Sequence, residues 1–241
     1  MFKCLNTQCN TSLKSLKNNS QIPIILIVFN NLSYLKNMLK QLKQKKIKDE
    51  NIWIWDNNST YSHLLTFYKQ LTTYNVIQND KNYGPHFFTN PLIWDLLPDF
   101  FAISDPDLSF NENMPDNFLK YLKNITVSLS VFKAGLALDI SHNANFNEKL
   151  RSKVRNVTIR EWETQFWASP LQEYTNPQIY KAHIDTTFAV YNKKLITNGF
   201  YDAVRVADYF TCKHLPWYKN NAILEEEKKL CHTEWSWWGK T

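Results

Sequence analysis

Glycine is scarce in this chain: its 241 residues include only Gly84, Gly135, Gly199 and Gly239. Those positions cannot write G-x-G-x-x-G, G-x-x-x-x-G-K-[ST] or G-x-S-x-G. A glycine-fingerprint dinucleotide fold, a P-loop NTPase and a nucleophile-elbow hydrolase are set aside on that ground. Cysteine is equally sparse: Cys4, Cys9, Cys212 and Cys231 form no C-x-x-C. Four cysteines in so long a chain make no disulfide scaffold, so a reducing, cytoplasmic compartment is expected. Cys212, His214, Cys231 and His232 can be drawn together as a zinc set, but their spacing matches no common finger. Long apolar runs are missing too. The longest, residues 22–29, is far too short to span a bilayer. Residues 1–20 hold no continuous apolar stretch and do not read as a signal peptide.

What is present reads as an ordinary globular chain, with 44% apolar and 21% charged residues. Aromatics reach 15%, with nine Trp, which calls for large buried clusters or a binding cleft. Basic residues outnumber acidic ones by 28 to 22. Such a balance suits a phosphate-bearing ligand, an anionic membrane surface or nucleic acid. Part of the excess sits in residues 40–48, KQLKQKKIK. That run reads either as a solvated helix end or as a peripheral contact with a membrane face or anionic acceptor. It lacks interleaved aromatics and no nucleic-acid motif accompanies it, so nucleic acid is not the expected partner.

Residues 22–29 (IPIILIVF) have the continuous, β-branched-rich pattern of a strand buried on both faces. Leu32, Leu35, Leu39 and Leu42 then recur at helical spacing over residues 32–45. Further strands are expected at 51–56, 75–78 and 100–104, with helices at 61–71 and 87–97. This alternation specifies a mostly parallel sheet covered by helices. The polar loops after its strands (Asn30 and Asn31; Asp56 to Ser59; Asn79 and Asp80; Asp105 to Asp107) then converge on one edge, where open α/β sheets bind ligands. The second half is less regular. It suggests a helix at 115–122 and strands at 134–140 and 186–191. With no repeat and no long linker, one catalytic domain over 1–241 is expected, with a nucleotide half (21–112) and an acceptor half (113–241).

Asp105-Pro106-Asp107 directly after a buried strand is the central clue. Two carboxylates around a proline turn can both reach one hard cation, Mg²⁺ or Mn²⁺, which also binds diphosphate oxygens. The alternative is a plain Asp-Pro-Asp turn that caps a helix. Asp56 ends the second strand, where it either reads a nucleobase or ribose or forms an Asx turn. Gly84, in Asn82-Tyr83-Gly84-Pro85, permits a positive φ or a close backbone approach to a ligand.

IPIILIVFNN, NIWIWDNNST, NDKNYGPHFFTN and FFAISDPDLSF, taken in order, resemble the nucleotide-sugar half of a GT-A fold glycosyltransferase of the family-2-like kind. Such enzymes show an apolar first strand, D-N-x-S-T, N-x-G and D-x-D in that sequence. The resemblance covers residues 21–112. It implies a single GT-A-like, Rossmann-type α/β domain that moves a sugar from a UDP- or GDP-sugar to a glycan or glycolipid. It further implies a donor site from Phe29, Asn30, Asp56, Asn57, Asn58, Asn82, Gly84, Pro85, Ser104, Asp105, Pro106 and Asp107. Asp105 and Asp107 would handle the metal–diphosphate, joined by the late His214. The chain departs from the pattern further on, with no clear E-D-x-D-L segment. An inverting transfer needs a carboxylate near the acceptor hydroxyl, and the candidates are Asp185, then Asp139, then Glu163. Arg205 and Lys213 would add positive charge near the phosphates. Trp162, Trp167 and Trp235 are either an acceptor-stacking platform or core filling.

Two other classes compete. A nucleotidyltransferase would share the carboxylate–metal logic but would carry a glycine-rich basic loop where FNNLSYLK stands. A non-enzymatic carbohydrate- or nucleic-acid-binding module would use the basic residues and the aromatics.

Overall fold

The computed structural model describes residues 16–17, 21–221, 223–230 and 238–240. Most of the expected polar arm lies outside the described residues, as do Cys4, Cys9, Cys231, His232 and Trp235. In chain order the first half runs β1 (Ile24–Val28), α1 (Leu32–Gln44), β2 (Ile52–Asp56), α2 (Ser62–Tyr68), β3 (Asn75–Gln78), α3 (Pro91–Trp94) and β4 (Phe100–Ser104). The second runs β5 (Leu108–Phe110), α4 (Phe118–Ser128), β6 (Lys133–Leu136), β7 (Leu150–Ser152), α5 (Ile159–Thr164), β8 (Pro170–Thr175), β9 (Gln178–Lys181), β10 (Ala189–Asn192), β11 (Ala203–Val206), β12 (Cys212–His214), α6 (Glu225–Leu230) and β13 (Trp238–Lys240).

A nine-stranded sheet takes the order β3-β2-β1-β4-β10-β6-β11-β9-β8 and so draws on both halves of the chain. Its core, β3 to β4, is parallel, as the alternation of strand and helix requires. Strands β10 and β9 run against the rest. Every residue of β1 is buried, because helices and aromatic rings cover both faces of the sheet. Ile24, Leu26 and Val28 pack with Leu35 and Met38 of α1, while Ile25 and Ile27 pack on the other face with Phe87 and Phe101. Each such aliphatic side chain contributes about 1.5–3 kcal/mol on burial.

Several expected elements differ from those observed; the strand expected at 134–140 ends at Leu136, and the helix expected at 61–71 ends at Tyr68. The helix expected at 87–97 is broken into a 3₁₀ turn, Phe87–Thr89, and the short α3. Pro91 forces Asn90 into an extended conformation, and the Asn90 side chain then caps a new helix. The helix expected at 115–122 begins later and runs to Ser128, because Phe118, Leu122 and Ile125 continue its apolar stripe. The strand expected at 186–191 starts only at Ala189, leaving Thr186–Phe188 as an irregular entry beside the sheet edge. Gly135 permits that entry: a Cβ there would lie 2.5 Å from the Phe188 carbonyl oxygen.

Lys46 of the basic run pairs with Asp116 at 2.6 Å, and Lys48 stands 3.7 Å from Glu50, so part of the run is neutralised locally. Among the described residues, no helix is long and apolar enough to cross a membrane.

Candidate active site

Strand order reverses at β1, with β2 on one side and β4 on the other, so the chain leaving these strands diverges and opens a crevice. A cleft of about 1050 Å³ occupies that position, a size fit for a nucleotide-sized ligand. Phe29, Asn57, Asn82, Gly84, Pro85, Asp105 and Asp107 line it. Gly84 has φ 74°, the left-handed conformation that glycine tolerates. Asn57 fixes this turn: its Nδ2 donates to the Gly84 carbonyl (3.1 Å), and its Oδ1 accepts from Tyr83 N (3.3 Å).

The other donor-site candidates do not line the cleft. Asp56 is enclosed under α2, where its carboxylate accepts from Ser59 Oγ, Ser59 N (3.1 Å) and the Tyr68 hydroxyl (2.8 Å). Asp56 thus braces the loop after β2 without capping α2, and Asn57, one position on, lines the cleft instead. Asn30 is buried at φ 53° and accepts from Thr60 N (2.7 Å) and Tyr61 N (2.9 Å), so it ties the loop after β1 to the loop after β2. Ser104 and Pro106 are buried, and Asn58 points to solvent.

The acidic turn is built by strand pairing. β5 and β12 pair antiparallel with Leu108 opposite His214, which brings Asp107 beside the imidazole. His214 Nε2 lies 3.2 Å from Asp107 Oδ2. Asp107 Oδ1 and His214 Nδ1 are buried and, among the described residues, have no hydrogen-bond partner. Asp105 is held by the Thr186 hydroxyl and by its own amide on the Thr186 carbonyl (3.1 Å). Burial and the charge of Asp107 push the Asp105 carboxyl up to about 8, against the Thr186 hydrogen bond and His214. Burial disfavours the charged form of His214, yet Asp107, then Asp105 and Glu163, outweigh it and raise its pKa. A cation in this acidic pocket would offset the repulsion between Asp105 and Asp107. Among the described residues no three His, Cys, Asp or Glu side chains form a ready-made metal cage. The unpartnered oxygen and nitrogen of Asp107 and His214 nonetheless fit an incoming cation whose other ligands come from a bound diphosphate.

Opposite this turn, Asp185 lines the cleft and its Oδ1 lies 2.5 Å from His86 Nε2. The backbone beneath it is gripped at three successive carbonyls. Arg205 Nε holds His183 O (2.8 Å), Lys133 Nζ holds Ile184 O (2.6 Å), and the Tyr191 hydroxyl reaches Asp185 O (3.4 Å). Lys133 is wholly buried, with its ammonium 3.9 Å from the Phe200 ring centroid. Burial lowers its pKa to about 8, Asp185 opposes the shift and Arg205 adds to it.

Glu163 also lines the cleft, but its carboxylate forms a buried ion pair with Arg205 and is spoken for. Asp139 does not line the cleft, and its Oδ1 accepts from Ser141 N at 2.8 Å. Lys213 is exposed, since strand alternation turns it away from Cys212 and His214. Cys212 is buried with its thiol pushed up by burial, and the rest of the zinc set lies outside the described residues apart from His214. Of the tryptophans singled out, Trp162 lines the cleft, while Trp167 packs beside Tyr180. Tyr201, Phe166, Trp217 and Tyr218 add the aromatic lining that the sequence left unassigned. His86 was also missed, for no local pattern marks a partner 99 positions away.

No family model matches the sequence, and no curated protein matches it at significant similarity. Solved structures do match. The mannosyltransferase PcManGT from Pyrobaculum calidifontis, in complex with GDP-Man and Mn²⁺, aligns with a TM-score of 0.53 at 10% identity, over 89% of this chain and 64% of that one. S. aureus TarS 1–349, in complex with UDP, aligns at a TM-score of 0.42 and 12% identity, over 74% of this chain and 48% of that one. This chain thus spans under two thirds of the first and about half of the second. The likeness to the mannosyltransferase shows the class of fold: this is a GT-A-type glycosyltransferase fold, with a mixed sheet, a parallel core and flanking helices.

Proposed function

We propose that the chain is a metal-dependent glycosyltransferase. In this reading it moves a hexosyl or related sugar from a UDP- or GDP-sugar to a glycan or glycolipid hydroxyl, with inversion. The observation that carries this is the Asp107–His214 pair, with its unpartnered buried oxygen and nitrogen, at the switch point of a GT-A-type sheet. The mannosyltransferase with GDP-Man and Mn²⁺ supports the same donor chemistry. Phe29, Asn57 and the Asn82–Pro85 turn would hold the nucleoside. Asp105, Asp107 and His214 would hold Mn²⁺ or Mg²⁺. The metal, when bound, would offset the charge that develops on the departing diphosphate.

Asp185 would take the proton of the acceptor hydroxyl as that oxygen attacks the sugar's C1. The aromatic wall of Trp162, Trp217 and Tyr218 suits a sugar ring on the acceptor side. Both halves of the chain contribute residues to the cleft, in keeping with one catalytic domain.

The test is thermal stability with UDP, GDP, CDP and dTDP, each with and without Mn²⁺. A ligand at 100 times its Kd adds about 2.7 kcal/mol. A metal-dependent shift with one nucleotide supports the reading and names the base. Transfer of a nucleotidyl group instead of a sugar, seen in the products, would replace it with the nucleotidyltransferase.

A further inference from the structure

We propose that His86 is a positioning residue for Asp185, so that the two act as a dyad in deprotonating the acceptor. This rests on the reading of Asp185 as the base. The geometry supplies three independent observations. First, His86 Nε2 and Asp185 Oδ1 are 2.5 Å apart, and each side chain is about half exposed, at 40% and 44%. An ionised carboxylate can only accept, so Nε2 must carry the hydrogen. Oδ1 is thereby occupied. Among the described residues Oδ2 makes no hydrogen bond, and Asp185 lines the cleft.

Second, the backbone under Asp185 is immobilised by Arg205, Lys133 and Tyr191 on the carbonyls of residues 183, 184 and 185. The two side-chain torsions of Asp185 remain to be set, and the hydrogen bond from His86 sets them. Third, His86 is itself fixed. It follows the Gly84–Pro85 turn anchored on Asn57, its carbonyl accepts from Thr89 N (3.0 Å), and its ring packs edge-on against Phe200 at 5.1 Å. The loop that lines the donor space therefore also aims the base.

In the step this implies, the acceptor oxygen forms a bond to the sugar's C1 while the bond from C1 to the diphosphate oxygen breaks. The electron pair leaves with the nucleoside diphosphate. The acceptor's proton goes to Asp185 Oδ2, while His86 keeps its own proton on Nε2, donated as a hydrogen bond to Oδ1. No oxidant or reductant takes part.

The test has two arms on the full chain. Without any substrate, proton NMR of the folded wild type should show a far-downfield ring N–H resonance that disappears in both Asp185→Asn and His86→Phe. Its absence from the folded wild type overturns the pairing. With UDP-glucose, UDP-galactose, UDP-N-acetylglucosamine and GDP-mannose plus Mn²⁺, and water as acceptor, nucleoside diphosphate release is measured. His86→Phe should lower kcat roughly tenfold or more with an unchanged KM for the donor. His86→Gln, whose amide still donates, should recover much of that loss. If the wild type and His86→Phe turn over alike while Asp185→Asn is inactive, the dyad is wrong and the base stands. If the wild type releases nothing from any donor, or Asp185→Asn is fully active, the reading beneath the dyad falls with it.

Discussion

Replacing Arg205 by Met should destabilise the protein strongly, and in a way that depends on Glu163. Arg205 is 4% exposed and Glu163 2%, and the two form a salt bridge. Arg205 also stacks on the Phe166 ring, with its guanidinium carbon 4.0 Å from the ring centroid, and holds the His183 carbonyl. Methionine keeps most of the packing but leaves a carboxylate buried without its counter-charge. Breaking a buried pair in this way costs about 3–5 kcal/mol, or about 10 °C in Tm for a chain of this size. Glu163 sets the pH dependence. Burial already pushes its pKa up, with Arg205 opposing, and loss of Arg205 pushes it further. A carboxyl whose folded pKa lies above its unfolded value binds a proton on folding. The variant is therefore least impaired at low pH and loses stability as pH rises from the unfolded value towards the folded one. Urea denaturation across pH checks this, with the double variant Arg205→Met, Glu163→Leu as control. The double variant should recover most of the loss. A single-variant loss below about 1 kcal/mol, or a loss independent of pH, refutes the reasoning.

Asn30→Ala should cost about 1–3 kcal/mol in denaturation, since the buried amide of Tyr61 and the partly buried amide of Thr60 lose their acceptor. Gly135→Ala should cost about 3 kcal/mol or fail to fold, because its Cβ would collide with backbone at Phe188. Asp56→Asn should lower stability without changing which nucleotide binds, a result that nucleotide-dependent thermal shifts of the folded variant will show. Metal-dependent nucleotide binding should weaken as pH falls through about 8, as Asp105 takes up a proton in place of a cation. Calorimetric titration of UDP or GDP with Mn²⁺ at several pH values reads that directly.

The first half of the fold was legible because parallel strands buried on both faces leave continuous apolar runs, with their polar loops close behind. Asp105 and Asp107 stood out for that reason. A single step of strand register decided the fate of Asp56 and Asn57, and polarity alone does not reveal which of two adjacent polar residues faces in. The second half was opaque for other reasons. Strands β6 and β11 are only four residues long, and β8 is largely exposed without clean alternation. The pairs that complete the site, Asp107 with His214 and Asp185 with His86, join segments about a hundred positions apart, and tertiary structure alone brings them together.

The most direct test of a metal–diphosphate site is the thermal shift of the wild type and Asp107→Asn with UDP and GDP, with and without Mn²⁺. The account predicts stabilisation of the wild type by one of these nucleotides, dependent on the metal and lost in the variant. Equal stabilisation of both proteins, or none in a folded wild type, would contradict it.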